Sequence, residues 1–206
     1  MEKIGKYLRE VSVVVIGVAI TLFASYRITN KNEKRDMALY LKSIKLELEE
    51  NIRILDETHQ LLIQPGINYS DYLRSHDKKS LNADSLKYYI DKTVFNISSI
   101  TINTNAFDMF KTSGNMRLVD NKEQLLSIWD SYAKLIELKQ GFDMFSQMKL
   151  EEMKKFFYLS NNPRDEDILK NPPMYEFHVN MFVPYVQKQM NDKAMASLNE
   201  TISMFE

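Results

Sequence analysis

The sequence predicts a mainly α protein: an N-terminal single-pass transmembrane helix continuing into a stalk helix, then an antiparallel helical bundle. Three observations predict it. The stretch EVSVVVIGVAITLFASYR, Glu10 to Arg27, is long, nearly uncharged and free of proline. No glycine or proline occurs between Val18 and Gln64, so nothing breaks a helix that leaves the apolar run. Further on, apolar residues recur mostly at helical spacing, and a single short segment alternates as a strand would. The expected division is 1–28 for the anchor and its flanks, 29–64 for the stalk, and 65–206 for a helical domain packing with the stalk.

The totals suit one domain plus an anchor. The chain has 206 residues, 44% hydrophobic and 27% charged, with a net charge of -1. Setting aside Lys3, Lys6 and Arg9 with Glu2 and Glu10 leaves 24 basic and 26 acidic residues. That balance gives no basic face for nucleic acid, so no nucleic-acid partner is expected. The absence of cysteine excludes a disulfide framework, thiolate metal sites and cysteine nucleophiles.

The uncharged run Val11–Tyr26 is 16 residues long, slightly short of the ~20 that cross a hydrocarbon core. Its flanks complete it. Lys3, Lys6, Arg9, Arg27 and Lys31 can snorkel to headgroups, and Tyr7 and Tyr26 stand at the two interfaces. A cleaved signal would need small residues at the cleavage positions, whereas cuts near Ala24 and Ser25 present Leu22 or Phe23. A retained anchor is therefore expected, with the lipid bilayer as partner. Positive charge is nearly balanced across the span. A short tail before a large domain favours an extracytoplasmic C-terminal domain. Glu10, Gly17, Thr21 and Ser25 fall on one side of this helix as a transmembrane packing face, through which a second copy or another membrane protein could associate. Ordinary transmembrane composition also explains them.

After Arg35, Met37, Leu41, Ile44, Leu48, Asn51, Leu55, Thr58 and Leu62 alternate spacings of four and three, a heptad seam with two polar members. Tyr40, Ile52 and Ile54 widen it towards bundle packing. Lys45 and Glu49 are spaced as an ion pair. Pro65-Gly66 is expected to end the helix, and residues 66–82 read as a loop. A helix carrying Leu86, Tyr89, Ile90 and Val94 is expected after Asn82. FNISSITINTN then alternates β-branched and polar residues without an evident partner strand.

Thr104 or Asn105 caps a short helix with Phe107 and Phe110 on one side, and Gly114 ends it in the left-handed conformation. Asp120, with Glu123 three residues on, caps a long helix. That helix carries Leu125, Trp129, Tyr132 and Ile136, then Phe145, Met148 and Phe156, and reaches Leu159 with a soft point at Gly141. Asn162-Pro163 and Asn171-Pro172 open short turns, with Asp165 and Glu166 near the first. The last helix carries Phe177 and Met181, a kink at Pro184, then Val186, Met190, Leu198, Ile202 and Phe205.

Two of these stretches together resemble a group of bacterial membrane proteins classed as domain-of-unknown-function family 6090. REVSVVVIGVAI follows its N-terminal pattern at Glu10, Val13 to Ile16, Gly17 and Ile20. AFDMFKTSGNMRLVDNKEQL follows its central pattern at Ala106, Phe107, Ser113, Gly114, Asn115, Leu118, Asn121, Lys122 and Leu125. Arg9 replaces the family's usual glycine, FASYRITNKNE replaces its Trp-containing membrane exit, and the C-terminal third is not diagnostic. The resemblance implies a single-pass protein of the bacterial cytoplasmic membrane with a helical domain and no established activity.

Chemistry-bearing constellations are scarce, and the expectation is a protein that is not an enzyme, with no catalytic residues, metal ligands or cofactors. His59, His76 and His178 lie far apart in sequence. Asp165, Glu166 and Asp167 lack the alternation and glycine of a calcium loop. Ser113-Gly114-Asn115 looks motif-like, but a helix C-cap accounts for it. Twelve methionines suit adaptable packing better than copper binding. A membrane-anchored interaction or sensory module is thus the leading expectation. The alternative is a small-ligand pocket lined by Phe107, Phe110, Trp129, Tyr132 and Phe156, with an unrecognised enzyme a third.

Overall fold

The computed structural model describes residues 2–76, 84, 85, 88, 97, 99–159 and 183–205. Among these the protein is mainly helical and contains no strand. Helix α1 spans Glu2–Thr58 and passes through a π turn, His59–Ile63, into α2, Gln64–Ser75. Helix α3 spans Asn105–Ser113, followed by a 3-10 turn at Asn115–Leu118; α4 spans Lys122–Leu159 and α5 is described over Val183–Ser203. The chain forms two compact units: Met1–Ile44 with Asn105–Asn121, and Lys45–Thr104 with Lys122–Glu206.

In the first unit α1 carries the apolar run, unbroken by glycine's low helix propensity at Gly17. Val119 is buried, as are Phe107 and Phe110 on one side of α3. Phe110 lies with its ring centroid 5.9 Å from that of Tyr40 on α1, and Arg117 reaches Glu33 at 3.1 Å.

In the second unit the heptad seam of α1 is the buried stripe: Leu48, Asn51 and Leu55 are fully covered and Thr58 nearly so. The ion pairs beside it join Arg53 to Glu50 and Glu57; the expected Lys45–Glu49 pair does not form. At the π turn the seam changes phase. Ile63 is buried where an unbroken heptad would place Leu62, because one additional residue occupies the turn. The N–H of Gln64 there bonds to the carbonyl of His59.

The same turn corrects the expectation that Pro65-Gly66 ends the helix and opens a loop. Pro65 lies in the first turn of α2. Proline breaks a helix by lacking an N–H and pressing on the carbonyl four residues back, and the widened turn relieves both. Residues 66–75 are therefore helical, with Ile67, Ser70 and Leu73 buried. A Cβ on Gly66 would stand 3.3 Å from the ring of Pro184, a rigid neighbour that sets how closely α2 approaches α5.

Helices α4 and α5 run antiparallel, as successive contacts show. The Gln124 side chain donates to the Met204 carbonyl at 2.8 Å. Ser127 and Thr201 hydroxyls meet at 2.5 Å. Ser131 donates to the Ser197 carbonyl at 3.0 Å. The buried stripe of α4 is consequently Gln124, Ile128, Ser131, Leu135, Leu138 and Phe142. The expected stripe was rotated: Tyr132 is buried, but Trp129 is 43% and Ile136 42% exposed. On α5, Asn191, Ala194, Leu198 and Thr201 are inside while Val186 is exposed. Helix α4 begins at Lys122, so Asn121 rather than Asp120 precedes it. It runs straight on through Gly141, where the Met190 thioether fills the space a side chain would need.

FNISSITINTN does not form a strand among its described residues. It is held by side chains instead. The Asn51 amide donates to the Asn103 carbonyl at 2.8 Å and accepts from the Asn103 N–H at 2.9 Å. Ser99 donates to Asp143 at 3.2 Å, and Ile100 between them is buried. The helix expected to carry Leu86, Tyr89, Ile90 and Val94 lies outside the described residues. So do the turns at Pro163 and Pro172, together with Asp165, Glu166, Asp167, Phe177, His178 and Met181.

The substitution Asn51→Ala removes both bonds to Asn103 and strands a half-buried N–H and C=O. A loss of about 2–3 kcal/mol is expected, read as a lowered thermal midpoint of the full-length protein in detergent. Asn51→Asp keeps the acceptor but sets a carboxylate against the Asn103 carbonyl, and is expected to recover little of that loss.

Candidate functional sites on the apolar N-terminal helix and the exposed α4 face

Among the described residues one helix is long and apolar enough to cross a membrane. Its best window has a mean hydropathy of 2.0, and none of it is buried by the rest of the chain. Val13, Val14, Ile20, Leu22 and Phe23 are all more than 60% exposed. On the expected packing face, Gly17 has no neighbour within 4 Å of where a Cβ would stand. Thr21 returns its hydroxyl to the Gly17 carbonyl at 2.9 Å, which satisfies that polar group inside the helix. Ser25 is exposed. Glu10 is helical, and its side chain lies outside the described residues.

At the C-terminal end of the run, Tyr26, Arg27, Asn30, Lys31 and Lys34 line a shallow groove on one side of α1. The Arg27 guanidinium sits 5.1 Å over the Phe23 ring.

The motif residues of the central pattern form a helix stop. Ser113 donates to the Phe110 carbonyl at 2.7 Å and accepts from the Asn115 N–H at 3.1 Å. Gly114 has φ 72° and ψ 1°, the left-handed region that glycine enters without a Cβ clash. The Ser113 hydroxyl is thus engaged on both sides in ending α3. Leu118 is half-buried, and its neighbour Val119 carries the burial at 2% exposure.

The aromatic set weighed as a pocket lining is divided between the two units. Phe107 and Phe110 belong to the first unit; Trp129 and Tyr132 belong to the second. Tyr132 is fully buried and donates to Glu47 at 2.5 Å. The side chain of Phe156 lies outside the described residues. What α4 does present is an apolar stripe opposite its filled face: Leu126 is 68%, Trp129 43%, Ile136 42% and Met144 51% exposed, with Ala133 and Gln140 also exposed between them. The spacing 126, 129, 133, 136, 140, 144 is a second helical seam on the same helix. Sequence reading missed it because Gln124 and Ser131 look like surface residues, and only their bonds to α5 turn them inward.

A polar node joins α2 to α5: Tyr185 donates to Asp71, and Arg74 reaches Asp71 at 2.5 Å and Tyr185 at 2.9 Å. The bond to Asp71 raises the Tyr185 hydroxyl pKa above its ordinary value. Lys139, at 2.5 Å, lowers that of Asp143. His59 lies at the seam edge with Nδ1 buried and without a hydrogen bond. His76 stacks on Tyr72 at 4.2 Å. Among the described residues no group of three or more His, Cys, Asp or Glu side chains is placed to hold a metal ion.

No protein-family profile, curated protein or solved structure matches this chain.

Half-buried Lys149 on α4 has its ammonium pushed down from 10.5 to about 8 by burial. The unfolded chain holds that proton up to the ordinary lysine value near 10.4, so stability rises with pH between about 8 and 10.4, and the burial cost is fully present below 8. Lys149→Met keeps the stem and removes the charge. It is expected to flatten the rise in melting temperature of the full-length protein between about pH 8 and pH 10.

Proposed function

We propose that this chain is a single-pass membrane protein of the family-6090 type, resident in the bacterial cytoplasmic membrane. Its helical domain acts as a bundle that binds a protein partner and carries out no catalysis. The exposed apolar stripe Leu126–Trp129–Ile136–Met144 carries this reading. The opposite face of α4 is already filled, and exposed apolar surface at helical spacing is what a partner buries. The uncovered apolar run of α1 supports the membrane address in the same way. The segments around Gly17 and Gly114 that resemble that family's two patterns support the family reading.

A photo-crosslinking residue placed at Trp129 or Ile136 of the full-length protein in cells is expected to capture one discrete protein species, this chain or another. The same residue at exposed Lys193 on α5 should capture none. Equal labelling at all three positions, or none at any, would overturn the reading. For orientation, a reporter active only outside the cytoplasm and fused after Glu206 is expected to be active; an inactive one reverses the topology.

A further inference from the structure

We propose that Arg27, Asn30, Lys31 and Lys34 form a binding site for the phosphodiester headgroup of an anionic phospholipid, at the level where α1 leaves the bilayer. The inference rests on the membrane reading of α1 and assigns that helix a ligand.

Positions 27, 30, 31 and 34 fall on one face of a 3.6-residue helix and span about 10 Å along its axis, close to the depth of a headgroup layer. They begin where the uncharged run ends at Tyr26. Side chains on a helix lean towards its N-terminus, which here is the membrane side, so these cations tilt back towards the lipid. Arg27 does so visibly, its guanidinium held 5.1 Å over the Phe23 ring inside the apolar run. Asn30, half-buried among the three cations, adds neutral donors.

Local acids do not neutralise this face. Glu33 is turned to Arg117 at 3.1 Å, and Asp36 is paired with Arg35 at 3.7 Å. Arg27, Lys31 and Lys34 are exposed and have no ion pair among the described residues. Three uncompensated cations on one face, with side chains directed at a phosphate-rich layer, meet the electrostatic requirement for anionic lipid. An acidic protein segment is the competing occupant. It is disfavoured because these positions lie within two turns of the hydrocarbon edge, where phosphates are already concentrated.

The test uses the full-length protein reconstituted into phosphatidylcholine vesicles that carry a trace of spin-labelled phosphatidylglycerol or spin-labelled phosphatidylcholine. Flotation of the protein with unlabelled neutral vesicles is measured in parallel. Wild type is expected to float and to immobilise phosphatidylglycerol over phosphatidylcholine by about fivefold or more at low salt, with the preference weakening as salt rises. The triple variant R27Q/K31Q/K34Q should still float and show near parity. Flotation without any lipid preference in wild type would overturn the site and leave the anchor standing. A preference retained in full by the triple variant would overturn its assignment to these residues. Failure of wild type to float would overturn both readings. A wild type without lipid preference, in which a photo-crosslinker at Lys31 captures a protein in cells, would assign the face to an acidic partner instead.

Discussion

The described part of the larger unit depends on one side-chain amide. The segment from Ser99 to Thr104 is neither helix nor strand, carries Ile100 into the core and has no sheet to join among the described residues, yet its main-chain groups still need partners. Asn51, fully buried on α1, presents one donor and one acceptor at the spacing of a neighbouring strand and takes both groups of Asn103. Ser99 and Asp143 then tie the same segment to α4. A helix, a non-helical segment and a second helix are thereby fixed by three hydrogen bonds. An apolar residue at position 51 would pack as well in the seam and leave the segment without a register.

The same device recurs between α4 and α5. Gln124, Ser127 and Ser131 face Met204, Thr201 and Ser197 in antiparallel order, and the Ser131 hydroxyl also meets that of Thr201 at 2.7 Å. Apolar ridges tolerate a slide of one turn, because one leucine resembles another. A ladder of paired hydroxyls does not, since a slide leaves buried polar groups unmatched. Short side chains also let the two backbones approach closely. Tyr132 adds a bond from the other flank of the stripe to Glu47 on α1. Small polar residues thus define the alignment, and Ile128, Leu135, Leu138, Phe142 and Leu198 fill it.

This polar frame explains which parts of the architecture were legible. The seam from Ile44 to Thr58 could be read because its apolar members outnumber Asn51 and Thr58 and the spacing never falters. The stop at Gly114 was legible because only one residue type enters that backbone region cheaply. The α4 stripe was misread by about one position, since a large apolar ring such as Trp129 is expected inside before a hydroxyl such as Ser131, and tertiary hydrogen bonds reverse that order. Pro65-Gly66 was misread because its effect depends on a π turn that leaves no mark in composition. For the candidate sites, the apolar run and its flanking cations were visible from the start. The freedom of Arg27, Lys31 and Lys34 from local acids was not, because it depends on where Glu33 and Asp36 turn.

The π turn at His59–Ile63 has a consequence for how this chain can change over generations. A helix counts residues, and the turn holds one more than a regular helix would use, so the buried phase passes from Thr58 to Ile63 rather than to Leu62. Losing one codon within these five residues would leave a chain of nearly the same length and hydropathy. It would also rotate Ile67, Ser70 and Leu73 away from the core and bring Pro65 against a regular helical turn. Substitutions here are local events, whereas a single-residue gap is a change of phase for everything up to Ser75. Related chains should therefore be aligned by counting back from the proline, with length conserved more strictly than identity across the turn.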